Sequence, residues 1–144
     1  MNHKVLRILI GFVTGFIAST AIGGGLALLT GVEGDRFPLE WLEGTPFRDY
    51  TIPALLLIGA VGGSSLAACT GMIRNRESGV SLSMLAGVIL MGYILVEALI
   101  LKQVPPGPTP IEIMFFGLGV ILILLAARLW AATHRQRYEF PRDL

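Results

Sequence analysis

Glu97 is the residue of this chain with the clearest capacity for chemistry. It lies in the apolar run GYILVEALILK, where an ionisable carboxyl is costly unless it is paired, hydrated or protonated. Tyr93, one helical turn earlier, shares its face if the run is helical. Lys102 follows just beyond it, and Arg48 lies in the preceding polar stretch. Two kinds of chemistry fit. Glu97 can serve as a site for a proton, a cation or a substrate, with Tyr93, Arg48 and Lys102 completing a polar site at the outer face. It can equally pair with Arg36, Arg48 or Lys102, or reach interfacial water. At 1.5 Å per residue it sits only about 7 Å below Lys102, far from a bilayer midplane. An enzymatic or lipid-modifying role requires Tyr93, Glu97 and Arg48 to converge on one outward-facing cavity.

Other chemistries lack their residues. His3 and His134 are the only histidines, and both fall outside the apolar runs, so a paired-histidine haem site has no support. Cys69 is the only cysteine, so no intrachain disulfide forms and the redox compartment is not legible; as a small apolar residue it suits a helix interior. There is no His-Glu zinc motif, no glycine-rich nucleotide loop and no membrane-depth serine with a histidine base. No metal, cofactor or nucleic acid is expected, and no catalytic residue is assigned.

The elements that must position Glu97 follow from composition. Of 144 residues 53% are hydrophobic and 15% charged, with mean hydropathy +0.72. Soluble domains carry about 25% charge, so the balance points to a membrane. Four apolar runs have the roughly 20-residue length of a membrane-spanning helix. The expected fold is all-α: an antiparallel bundle of four transmembrane helices at about 5–29, 52–74, 80–101 and 111–132. Residues 1–144 then make a single transmembrane domain, with an exterior loop over 30–51 and a tail over 133–144. The first run is longer than a signal peptide's apolar core of about 7–15 residues, so it is read as a retained helix.

Charge sets the orientation. With the N-terminus inside, Lys4, Arg7, Arg74, Arg76, Arg128, Arg135, Arg137 and Arg142 fall on the inner side, against Arg36, Arg48 and Lys102 outside. That asymmetry predicts a multi-pass membrane protein with both termini cytoplasmic.

Small residues predict the packing. Gly11, Gly15, Ser19 and Gly23 recur at every fourth place in helix one, and Gly59, Gly63, Ala67 and Gly71 in helix two. Such stripes let backbones approach closely, so helix one is expected against helix two, with self-association as the competing use. The run Gly23-Gly24-Gly25 predicts a kink or an unwound turn. Between these helices Phe37, Leu39, Trp41 and Leu42 interleave with Glu40 and Glu43, as in a segment lying at the headgroups. Thr51 can cap helix two, with Pro53 in its first turn. The loop over 37–50 reads as an interfacial connector or as a docking surface for a second copy or another membrane protein. Arg74 to Gly79 is a tight basic turn, and residues 103–110 form a stiff proline-rich connection. Thr109-Pro110-Ile111-Glu112 reads as a capping box, a local task that accounts for Glu112. Helix four is bulky and lipid-facing, and the tail after it is expected to be disordered.

The stretch LEWLEGTPFRDYTIPALLLIGAVGGSSLAA together with YILVEALIL resembles a group of small bacterial four-helix integral membrane proteins to which no activity is assigned. The similarity implies four helices with both ends inside and transfers no functional residue. In helix number alone the chain is also similar to DoxX-like proteins. For function the leading expectation is a non-catalytic accessory, assembly or scaffold subunit. The alternatives are a small oligomeric transporter or channel using Glu97, and a membrane-embedded enzyme or lipid-modifying factor.

Overall fold

The computed structural model describes residues 2–31, 39–100 and 109–139, with backbone alone at Leu39 and at 135–139. Four helices are long and apolar enough to span a membrane: α1 (His3–Thr30), α2 (Thr51–Ile73), α3 (Ser78–Ile100) and α4, which begins at Pro110 and continues to Glu139. A short 3₁₀ turn, Leu39–Leu42, precedes α2. The fold is therefore all-helical, as expected. The helix of α4 runs through Glu139, beyond the expected end near residue 132, so the first part of the supposed tail is helical.

Local chemistry starts and stops each helix. The Asn2 side chain accepts from the Lys4 amide at 3.2 Å and opens α1, and Gly31, with φ 78°, closes it in the left-handed conformation. The unwound turn expected at Gly23–Gly25 is absent: α1 is one continuous helix. Packing accounts for this, because Gly25 is pressed against Ile58 and the Ala54 carbonyl of α2, so the cost of glycine is offset by contact. At the start of α2 the cap differs from expectation. Thr51 is already the first residue of the helix, the N-cap position falls on Tyr50 with no side-chain cap bond, and Asp49 Oδ1 accepts the Thr51 amide at 3.0 Å. That hydrogen bond holds the Asp49 carboxyl below its ordinary value. The turn from α2 to α3 closes on Asn75 (φ 55°), with Asn75 N–H on Met72 O at 3.2 Å and Arg76 N–H on Gly71 O at 2.9 Å. These paired bonds satisfy the last carbonyls of α2.

The helices pack in a ring. Contacts pair Gly11 with Met72, Gly15 with Cys69, and Gly62 with Ile22 between α1 and α2. Gly71 meets Gly79 backbone to backbone between α2 and α3, and Gly87 meets Gly119 between α3 and α4. Phe16 and Phe115 close the ring between α1 and α4, stacked at 6.4 Å. The interior is filled by Leu6, Ile10, Ile17, Val61, Leu90, Leu122 and Leu129. Two of the buried hydroxyls bond their own helix: Thr14 donates to Ile10 O at 2.8 Å and Ser83 to Gly79 O at 2.7 Å. Phe12, Ile73 and Leu99 instead point outward, each about three-quarters exposed, which suits an apolar solvent around the bundle.

The small-residue stripes do not meet as expected. Gly11 and Gly15 face α2, and Gly71 is buried against α3, but Ser19, Gly23, Gly59, Gly63 and Ala67 are all exposed. Four residues turn a helix through about 400°, so a four-residue ladder drifts about 40° per step and leaves the contact face within three steps. In α2 the segment Leu57–Gly62 is also a wide π turn, which rotates the positions on either side of it relative to each other. The contact with α1 consequently passes through Gly62, a residue outside the ladder.

Candidate functional site

The loop from Leu39 to Tyr50 is built to cover one end of the bundle. Thr45 organises it: its hydroxyl donates to Leu42 O at 2.6 Å and accepts from the Phe47 amide at 3.3 Å. Gly44, with φ 80°, supplies the left-handed turn. Leu42 and Tyr50 are consequently buried. Burial, with the charge of Glu97 second, pushes the Tyr50 phenol up to about 12.

Beneath this loop lies a cavity of about 340 Å³ between the helices. Ile17, Thr20, Ala21 and Gly24 line it from α1, and Leu57 and Val61 from the π turn of α2. Leu90, Tyr93, Ile94 and Glu97 come from α3; Thr109, Glu112 and Phe115 come from the start of α4, and Trp41 from the loop. A smaller space of about 80 Å³ lies beside it under Leu42, Phe47 and Tyr50, and Tyr93 and Glu97 line both. Glu97 thus stands where the two spaces meet. The Tyr93 hydroxyl donates to the Pro53 carbonyl at 3.2 Å and ties α3 to the first turn of α2.

Of the residues expected at an outer polar site, Tyr93 and Glu97 come together at this cavity. Arg48 does not; it is exposed on the loop and lines neither space. Convergence of Tyr93, Glu97 and Arg48, which an enzymatic role required, is therefore not met. Lys102 and Arg36 lie outside the described residues. Among the described residues no hydrogen bond or ion pair reaches the Glu97 carboxylate.

The residue missed by sequence reasoning is Glu112. Its capping box forms: Glu112 Oε2 accepts the Thr109 amide at 2.8 Å, and Thr109 Oγ1 accepts the Glu112 amide at 3.3 Å. Yet Glu112 is also buried and lines the cavity that Glu97 lines. Depth was the available signal, since both acids lie about a turn or two from the same end of their helices. Trp41, expected in an interfacial belt, forms part of the cavity wall. The arrangement can hold a small, largely apolar body with a polar end at the carboxylates.

At the opposite end a space of about 100 Å³ lies among Arg7, Glu77, Trp130 and His134. His134 stacks on Trp130 there, with ring centroids 4.1 Å apart.

The chain matches no protein-family profile, no curated protein and no solved structure.

Proposed function

We propose that this chain is a multi-pass protein of the bacterial inner membrane, an antiparallel bundle with both termini cytoplasmic. In this reading its cavity under the 39–50 loop binds a small, mostly apolar molecule as the first step of carrying it across. One observation carries the reading: Glu97 and the buried Glu112 both line a cavity of about 340 Å³ whose wall is otherwise mostly apolar. Ionisable groups at membrane depth are costly, and substrate pathways are where membrane proteins keep them. The orientation rests on the basic residues gathered at the Arg74–Arg76 turn and both termini.

The experiment is cysteine accessibility in proteoliposomes, on a Cys69→Ser background. Thr20→Cys, on the cavity wall, should react with methyl methanethiosulfonate faster than Ser19→Cys, which is exposed on the outer surface of the bundle. Equal rates would remove the cavity from the mechanism.

A second reading, an accessory or scaffold subunit, is favoured by the exposed small residues Ser19, Gly23, Gly59, Gly63 and Ala67. In lipid, such residues invite another helix. Gly63→Leu should then leave the fold intact and shrink the particle seen in mild detergent. A wild-type chain that runs as a lone monomer would count against this reading.

A further inference from the structure

Resting on the cavity reading above, we infer that the occupant is a single hydrocarbon chain that enters sideways from the bilayer, with its polar end toward the loop. The lower wall decides the class. Ile17, Ala21, Val61, Leu90, Ile94 and Phe115 bring aliphatic and aromatic surface to the space from all four helices. The hydroxyls among them are already committed, Thr20 to Phe16 O at 2.9 Å and Tyr93 to the Pro53 carbonyl. Trp41, Glu97, Thr109 and Glu112 lie at the loop end, on the loop itself and on the outer turns of α3 and α4. An apolar space with its polar groups gathered at one end suits an amphiphile. Because the inference rests on the lower wall, it holds for a head of either charge.

The dimensions match one chain. Along α1 the lining runs from Ile17 to Leu28, about 16 Å at 1.5 Å per residue, and along α3 from Leu90 to Glu97, about 10 Å. A volume of about 340 Å³ over that length leaves roughly 20–35 Å² in cross-section, the width of one hydrocarbon chain. Counting about 30 Å³ for a group the size of a water, which a methylene is, the space takes roughly ten to twelve carbons.

The mouth faces sideways. Ile111 lines the space and is 60% exposed on the flank of the bundle, and Thr20 and Gly24 on α1 are partly exposed. The Phe16–Phe115 stack closes α1 onto α4 below them. In a bilayer the gap above that stack opens onto acyl chains. A chain leaving bulk lipid gains no hydrophobic energy on entering, since lipid tails are as apolar as the wall. Selection comes from dispersion against a wall of matching width, which small gaps weaken steeply.

The chain can come from two sources, a free amphiphile or one tail of a bilayer lipid. The test uses the unaltered protein in phosphatidylglycerol nanodiscs and a dodecyl chain with a diazirine near its far end. That chain is presented either as dodecanol or as one ester tail of phosphatidylglycerol, and crosslinked residues are read by mass spectrometry after photolysis. Insertion is expected at Ile17, Val61 or Leu90, which are buried on the wall, besides lipid-facing residues such as Phe12 and Leu124. Interior labelling from the alcohol alone assigns a free amphiphile; interior labelling from the phospholipid assigns a lipid tail. Unlabelled dodecanol should erase the interior signal at a mole fraction at least about tenfold lower than cyclododecanol, which has as many carbons in a wider body. Crosslinks confined to the outer surface, or equal competition by the ring, overturn the inference. If Thr20→Cys still reacts faster than Ser19→Cys, the cavity reading stands without it; if those rates are equal, the cavity reading falls as well.

Discussion

At Glu112 a single carboxylate closes the first turn of α4 and lines the cavity shared with Glu97. The first task was legible in the sequence, because a capping box is a local pattern of four residues. The second was not, because the meeting of Glu97 and Glu112 depends on how two helices are rotated. In runs apolar on every side, periodicity does not mark which face turns inward. Thr109→Val removes the hydroxyl that accepts the Glu112 amide and should lower stability by about 1 kcal/mol in chemical unfolding; an unchanged midpoint would show that the box contributes nothing. Tyr50 gives a pH dependence. Its phenol titrates near 12 in the folded chain against 10 when exposed, so the folded form holds its proton longer. The associated stability is intact below pH 10 and is lost as pH rises from 10 to 12. Thermal unfolding of Tyr50→Phe should fall less across that window than the parent, and parallel curves would contradict the assignment.

Among the elements, glycine contacts decide where helices touch. Gly79 sits against the Gly71 carbonyl carbon, where an added Cβ would lie 2.7 Å away with no side chain to yield. Gly79→Ala should therefore cost about 1–3 kcal/mol. Gly63, with open space around it, should accept alanine without loss, or gain up to about 1 kcal/mol from helix propensity. Reversal of that order in a denaturant series would mean the bundle packs through its outer stripe. The spans and their order were readable from hydropathy, since length and composition alone demand them. The π turn was not readable, although Leu57 and Val61 reach the cavity from it. Nothing in LIGAVG requires a wide turn. Its place follows from fitting Gly62 against Ile22 while Gly25 closes on Ala54, which are contacts between distant segments.

For the whole molecule the two ends differ in kind. One end carries the covered cavity with its two acids, and the other carries the basic turn, Arg7 and the stacked Trp130–His134 pair. The proposed orientation predicts which end meets the cell exterior. In a Cys69→Ser background, Glu43→Cys should react with an impermeant maleimide in intact cells, while Ser78→Cys should react only after the membrane is opened; the opposite pattern would invert the topology.

The double duty of Glu112 gives the molecule a built-in reporter. Because the acid beside any occupant also holds the Thr109 amide, filling the cavity and fastening the first turn of α4 draw on the same carboxylate. Amide hydrogen exchange at Thr109 should then respond to occupancy, while exchange at Asn75, at the far end, should not. The chain would announce a bound guest through its own backbone, with no dye or label attached.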